Sequence, residues 1–78
     1  MDIRQINYFV AVAQNGSFSK AAEMLSLSQP TLSLAVKKLE EELGVKLFYS
    51  FNKRQELTDE GTALLESSRH LLDAYQQT

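Results

Sequence analysis

The feature that most constrains this chain is the segment 18–43, where two helical patterns are separated by only three residues. The first pattern, 18–25, places on one face the apolar or small residues Phe18, Ala21, Ala22 and Leu25. The second, 29–43, repeats apolar residues at the 3.6-residue period of an α-helix, namely Leu32, Val36, Leu39 and Leu43. Two amphipathic helices joined by so tight a turn indicate a helix-turn-helix, whose second helix enters the DNA major groove.

The ends of both helices carry clear signals. Ser17 and Ser28 are suited to cap the two N-termini, because a serine hydroxyl accepts from a first-turn N–H. Pro30 falls in the first turn of the second helix, where its missing N–H costs nothing, and Gly44 follows the last turn. The outward face of this helix starts small and polar apart from Leu34, becomes positive, and ends in three glutamates at 40–42, predicted to be a solvated face.

The remaining segments complete the architecture. A first helix is expected at about 2–14, ending at Asn15-Gly16. Short β-prone segments at 45–49 and 55–57 surround a basic loop, which predicts a wing with Lys53 and Arg54 at its tip. Thr58 is placed to cap a last helix, and the apolar stripe of that helix continues beyond what a small domain can cover. That stripe therefore predicts a protein partner.

These residues resemble the N-terminal DNA-binding domain of the LysR-type transcriptional regulators. The resemblance covers essentially the whole chain. Its most specific parts are the Ser-Gln-Pro-x-Leu-Ser pattern at 28–33 and the Leu-Glu-x-x-Leu-Gly-x-x-Leu-Phe pattern at 39–48. The resemblance implies a mainly α fold: a winged helix-turn-helix with a three-helix core and a short β-hairpin wing, followed by a long C-terminal linker/dimerisation helix.

The implied organisation is a winged helix-turn-helix domain at 1–58 (helix-turn-helix at about 18–43, wing at about 45–57) and a linker/dimerisation helix at 59–78. An effector-binding domain is expected to be absent from this chain. The implied function is sequence-specific binding of double-stranded DNA at an inverted-repeat promoter site, as a homodimer through the C-terminal helix. A small-molecule effector would act only through the missing domain, and the full-length protein would form a higher assembly.

The candidate site residues fall into three groups. Base contacts are expected from the start of the second helix, with the Gln29 amide suited to adenine N6 and N7: Gln29, Pro30, Thr31, Ser33 and Leu34. Phosphate and wing contacts are expected from Ser17, Lys20, Ser28, Lys37, Lys53 and Arg54. The dimer interface is expected at Leu64, Leu65, Ser68, Leu71, Leu72 and Tyr75.

Several positions depart from the family pattern. Leu34 stands where the family often has arginine, and leucine offers only an apolar contact, for instance to a thymine methyl group. We therefore expect a more A·T-tolerant half-site. In the wing, Ser50 and Glu56 replace basic residues and Lys53 replaces an arginine, which weakens the expected backbone binding because lysine lacks the planar guanidinium fork.

Composition excludes other classes of function. The chain has no cysteine and a single histidine, and it lacks a glycine-rich phosphate loop, so we expect no enzyme, metal site or cofactor. No apolar run approaches a membrane span or a signal peptide, which predicts a cytoplasmic protein without membrane contact.

The charge of the chain leaves an alternative open. The net charge is −2, although 17–54 carries six basic residues against four acidic ones. The acidic balance, together with Leu34, is compatible with a helical dimerisation or protein-interaction module with weak or lost DNA binding. A sequence-specific DNA-binding domain would instead show a steep salt dependence of its affinity for DNA.

Overall fold

The computed structural model describes the backbone of residues 1–76 and the side chains of 1–70 and of 73. In chain order, the elements are α1 (Ile3–Asn15), α2 (Phe18–Leu25), α3 (Gln29–Leu43), β1 (Phe48–Phe51), β2 (Arg54–Leu57) and α4 (Asp59–Gln76). This is the predicted winged helix-turn-helix, with a three-helix core, a two-stranded antiparallel hairpin and a long last helix. None of the helices in this described part is long and apolar enough to cross a membrane.

Each of the first three helices begins at a side-chain cap and ends at a residue in the left-handed conformation. The N-caps are Asp2, Ser17 and Ser28, and the C-caps are Gly16, Ser26 and Gly44. Because these caps satisfy N–H and C=O groups that a helix leaves unpaired, they fix where α1, α2 and α3 start and stop. The predicted caps at 17, 28 and 44 are thereby confirmed.

The core consists of two clusters of buried side chains. One joins the first three helices through Ala11, Val12, Ala21, Ala22, Leu32 and Val36. The other joins α1 and α3 to the chain before the wing through Phe9, Leu39 and Leu47. Half-buried Phe48 packs against both clusters, with its ring centroid 5.4 Å from that of Phe9. The core therefore fixes the wing relative to α3.

The apolar stripe of α3 leaves this core one turn before the helix ends. Leu32, Val36 and Leu39 are buried as predicted, but Leu43 is 39% exposed. Leu39 is the last α3 side chain in the cluster with Phe9 and Leu47.

The wing is a tight hairpin rather than two strands around a five-residue loop. β1 and β2 pair in the register Phe48↔Leu57 to Phe51↔Arg54. Only Asn52 and Lys53 connect them, with φ values of 51° and 63°. Positive φ at both central residues is the conformation of a type I′ turn, whose twist matches that of paired strands. The prediction of Arg54 as a loop residue was wrong, because Arg54 begins β2.

The first turn of α4 is docked against the segment before the wing. Thr58 Oγ1 accepts from Gly61 N at 3.0 Å, as expected of a cap, and donates to Lys46 O at 2.6 Å. Thr58 N also donates to Leu47 O at 3.0 Å. A Cβ added at Gly61 would lie 2.3 Å from Leu47 O, so only glycine permits this approach. Glycine at this position thus sets where α4 leaves the domain.

Candidate nucleic-acid interface

The start of α3 presents most of the predicted base-contact residues to solvent. Gln29, Pro30 and Thr31 are exposed in its first turn, and Leu34 is 57% exposed one turn further on. Ser33 is half-buried. The opposite face of the helix is held in the core, so the exposed face is presented on a rigid element. We refer to residues 28–34 as the reading head.

Two hydrogen-bonded pairs hold the polar side chains of the reading head. Ser28 Oγ accepts from Thr31 N at 3.2 Å and donates to Thr31 Oγ1 at 2.7 Å. Ser19 Oγ, from α2, donates to Gln29 Oε1 at 2.9 Å. Sequence reasoning missed Ser19, because no local pattern relates two positions ten residues apart on different helices. The reading head is therefore built from both helices of the helix-turn-helix.

Three exposed lysines lie on α2, on α3 and in the wing. Lys20 lies in the first turn of α2, Lys37 lies one turn beyond Ser33 on α3, and Lys53 lies in the wing turn. Lys37 and Ser33 line a groove between α3 and the wing, together with Tyr49 and Ser50 of β1. The structure thus brings the middle of α3 and the wing to the two sides of one groove.

Arg54 was predicted to lie at the wing tip, but the structure places it elsewhere. Its guanidinium lies over Gly16, where an added Cβ would be 2.4 Å from an Arg54 terminal nitrogen. Gln55 N donates to Gly16 O at 3.0 Å, which fixes β2 to the corner between α1 and α2. Arg54 Nε lies 3.8 Å from Glu56 Oε2. The arginine therefore lies beside Ser17, the N-cap of α2, and its side chain remains 61% exposed.

The outer face of the wing is aromatic. Tyr49 and Phe51 alternate with Phe48 and Ser50 along β1, and they are 51% and 59% exposed. Alternate residues of a strand share a face. Both aromatic rings are therefore on the surface of the wing rather than in the core.

Two glutamates at the C-terminal end of α3 accept hydrogen bonds from other parts of the chain. Glu40 Oε2 accepts from Leu47 N at 2.7 Å, so its assignment to a solvated face was wrong. The Glu42 carboxylate accepts from the N-terminal ammonium group of Met1 and from Gln5 Nε2. The hydrogen bond from the ammonium group, and then that from Gln5, lower the pKa of Glu42 from its usual 4.5. Part of the negative charge at this end is therefore compensated within the chain.

The predicted dimer residues of α4 divide into two sets. Leu64 and Leu65 are half-buried and pack against the cluster of Phe9, Leu39 and Leu47. Ser68 is 1% exposed, and its Oγ donates to Leu64 O at 2.7 Å. This set contributes to the packing of the protomer itself, which sequence periodicity could not distinguish from a surface seam. The second set, Leu71, Leu72 and Tyr75, lies outside the described side chains.

Curated proteins of related sequence are regulators. The HTH-type transcriptional regulator TfdT of Cupriavidus pinatubonensis is 42% identical over 78 residues, covering 100% of this chain and 34% of TfdT. ClcR of Pseudomonas putida, another HTH-type transcriptional regulator, is 44% identical over 72 residues, covering 92% of this chain and 24% of ClcR. The chain thus spans only about a quarter to a third of these two relatives. Their names agree with the prediction of a regulator rather than an enzyme.

Solved structures of similar chains include DNA complexes. A crystal structure of the BenM DBD with catB site 1 DNA superimposes with a TM-score of 0.94 at 39% identity, covering 99% of this chain and 86% of that one. The CbnR DBD–DNA complex gives a TM-score of 0.92 at 39% identity, covering 99% and 88%.

The family profile described as "Bacterial regulatory helix-turn-helix protein, lysR family" matches residues 3–62, which include α1, α2, α3 and the wing. A match over this much of the chain, at the motifs that carried the resemblance, shows the family. The chain belongs to the lysR family of bacterial regulatory helix-turn-helix proteins.

Proposed function

We propose that this chain is the sequence-specific DNA-binding domain of a transcriptional regulator, with α3 in the major groove and the wing on the backbone or minor groove. The observation that carries the proposal is the reading head, whose exposed polar side chains are held by hydrogen bonds on a helix fixed in the core. DNA complexes of relatives with nearly the same backbone support this assignment.

Base recognition is assigned to Gln29, Pro30, Thr31, Ser33 and Leu34. Leu34 supports an A·T-tolerant half-site, because its exposed isobutyl group fits a thymine methyl and cannot donate to guanine. Phosphate and wing contacts are assigned to Ser17, Lys20, Ser28, Lys37, Lys53 and Arg54. The position of Arg54 beside Ser17 moves its proposed contact from the wing tip to the N-terminus of α2, where free N–H groups also favour a phosphate.

The negative net charge is compatible with this function because part of it is compensated within the protomer. Lys20, Lys37 and Lys53 are exposed, whereas Glu40 accepts from Leu47 N and Glu42 from the N-terminal ammonium group. The local field of the DNA-facing surface, rather than the total charge, attracts a polyanion.

The assembly is a further part of the proposal. Homodimerisation through α4 would pair two reading heads on an inverted repeat, at about 34–36 Å or a multiple of that distance. Leu71, Leu72 and Tyr75 are the proposed contacts, since Leu64, Leu65 and Ser68 already pack within the protomer. A small-molecule effector would bind a region of the whole protein beyond the span of this chain. The proposed location is the cytoplasm, where promoter DNA is accessible.

The test is selection from a randomised duplex pool, followed by fluorescence anisotropy titrations at several salt concentrations. An enriched inverted repeat is expected, and about four phosphate contacts per protomer give a dimer a log–log salt slope near −7. Gln29→Ala should weaken binding to the selected site by roughly 1–3 kcal/mol and relax the preference at one position.

Gln14→Ala is the matched control, because Gln14 is an exposed glutamine on α1 that lines a groove with Met24 and Arg69, a groove that includes no residue of 28–34. It should leave both the affinity and the sequence preference unchanged. If no sequence is enriched from the pool and the affinity for DNA does not depend on salt concentration, the proposal is overturned and a helical protein-interaction module is favoured.

A further inference from the structure

The hydrogen bond from Ser19 to Gln29 joins the two helices at the surface proposed to face DNA. Ser19 lies in the first turn of α2 and Gln29 in the first turn of α3, and both side chains are exposed. Ala21 and Ala22 are buried between the helices, and their small side chains allow α2 and α3 to approach closely. The Oγ–Oε1 distance of 2.9 Å is that of a normal hydrogen bond.

This bond restricts what the Gln29 amide can offer to a base. A free carboxamide presents a carbonyl acceptor and an NH2 donor, the pair that matches N6 and N7 of adenine. Here the Ser19 hydroxyl donates to Oε1, which turns the acceptor towards α2. Among the side-chain hydrogen bonds of the described residues, none involves Gln29 Nε2, so its two hydrogens remain for a ligand.

The hydroxyl group of Thr31, like the amide of Gln29, is left as a hydrogen-bond donor. The Ser28 hydroxyl donates to Thr31 Oγ1 at 2.7 Å, so the hydroxyl proton of Thr31 remains for an acceptor on a ligand. The first turn of α3 adds one backbone donor, the N–H of Gln29, because Pro30 has no N–H and Thr31 N already donates to Ser28 Oγ. The Gln29 NH2 group and the Thr31 hydroxyl are therefore both donors at the start of the reading head.

We propose that Ser19 is a positioning residue for base specificity: it holds the Gln29 amide so that Nε2 faces the base and selects the acceptor pair of guanine, O6 and N7, over adenine. This inference rests on the proposed DNA-binding function and replaces the expectation of adenine at this position. Adenine is disfavoured because its N6 amino group is a donor and meets a donor. Fixing the long Gln29 side chain before binding also reduces the ordering cost on DNA.

The test uses five proteins: wild type, Ser19→Ala, Ser19→Thr, Gln29→Ala and the double variant Ser19→Ala/Gln29→Ala. The base pair read by Gln29 is the one whose preference relaxes in Gln29→Ala. Dissociation constants are then measured on two duplexes that differ only by guanine or adenine there. Wild type should bind the guanine duplex more tightly, and Ser19→Ala should lower the guanine-to-adenine ratio of affinities roughly 3- to 10-fold.

Two further comparisons separate positioning from a direct contact. Ser19→Thr keeps the hydroxyl and should retain the wild-type ratio, while Ser19→Ala should have no effect on that ratio in the Gln29→Ala background. A direct phosphate contact from Ser19 would instead weaken both duplexes equally, with or without Gln29, and that result would overturn the proposal.

A wild-type preference for adenine, or an unchanged ratio in Ser19→Ala, would also overturn the role of Ser19 while leaving sequence-specific binding intact. If wild type selects no sequence from the pool, both the proposed function and this inference fail. Circular dichroism checks that each variant is folded, which is expected because both side chains are exposed.

Discussion

Replacing Lys53 by glycine should change stability and DNA binding in opposite directions. Lys53 occupies the second position of the type I′ turn at φ 63°, a conformation that costs an L-residue about 1–2 kcal/mol. Glycine adopts it without steric cost but loses more backbone entropy on folding, about 0.5–1 kcal/mol. The net expectation for Lys53→Gly is a gain in the free energy of unfolding of about 0.5–1 kcal/mol. For a domain of this size, that is roughly 2–8 °C in Tm.

The same change removes a positive charge at the wing tip. If each Lys53 meets one phosphate, the slope of log affinity against log salt should become less steep by about 0.9 per protomer. Affinity should fall similarly for all sequences, since a phosphate contact carries no base information. Thermal unfolding followed by circular dichroism gives the first effect, and anisotropy titrations over a range of salt concentrations give the second.

Two controls separate conformation from charge. Asn52→Gly alters the neighbouring position, φ 51°, without changing charge, and it should leave the salt slope unchanged. Lys38→Ala removes an exposed lysine from α3 and should alter the salt slope less than Lys53→Gly. A fall in Tm for Lys53→Gly would refute the argument from turn strain, and an unchanged salt slope would refute the phosphate contact.

Three other expectations follow from the packing of the chain. Gly61→Ala should lower the free energy of unfolding, measured in urea, by about 1–3 kcal/mol, because the added Cβ collides with Leu47 O and this outweighs the higher helix propensity of alanine. A stabilised variant would show that α4 can shift freely. Glu40→Ala should cost about 1–3 kcal/mol by leaving the part-buried Leu47 N without its acceptor, and an unchanged urea midpoint would contradict this. The pKa of Glu42 is lowered in the folded chain. The ionised carboxylate therefore stabilises the folded protein at pH values above its unfolded pKa, and this contribution disappears as the pH falls through its folded pKa. The Tm difference between wild type and Glu42→Gln should therefore close as the pH drops below 4.5, and a difference that persists in acid would contradict the ion pair.

The sequence predicted those parts of the fold that depend on neighbouring residues. Serine before an apolar repeat and glycine after it marked the ends of α3, because capping is a local interaction. The spacing of Leu32, Val36 and Leu39 likewise predicted the buried face of that helix. These signals do not depend on what the rest of the chain does.

The sequence was less informative where structure depends on distant residues. The Asn52–Lys53 turn has no glycine, so the local pattern does not distinguish this two-residue turn from the predicted longer loop with Arg54 at its tip. The hydrogen bond from Leu47 N to Glu40 is set by how the chain returns after α3, and nothing in the glutamate run indicates it. The site was thus predicted as a set of exposed residues, but not the contacts that orient them.

Those contacts connect the separate parts of the surface proposed to face DNA. The wing is joined to the α1–α2 corner through Gln55 N and Gly16 O, and the reading head is joined to α2 through Ser19 and Gln29. Both connections therefore depend on the position of α2, which its buried alanines fix against α1 and α3. Because interiors are close-packed, a larger side chain in place of Ala22 would displace α2 and disturb the orientation of Gln29 and the placement of the wing together. We therefore expect sequence preference and backbone affinity to be coupled through the core rather than set by independent surface residues.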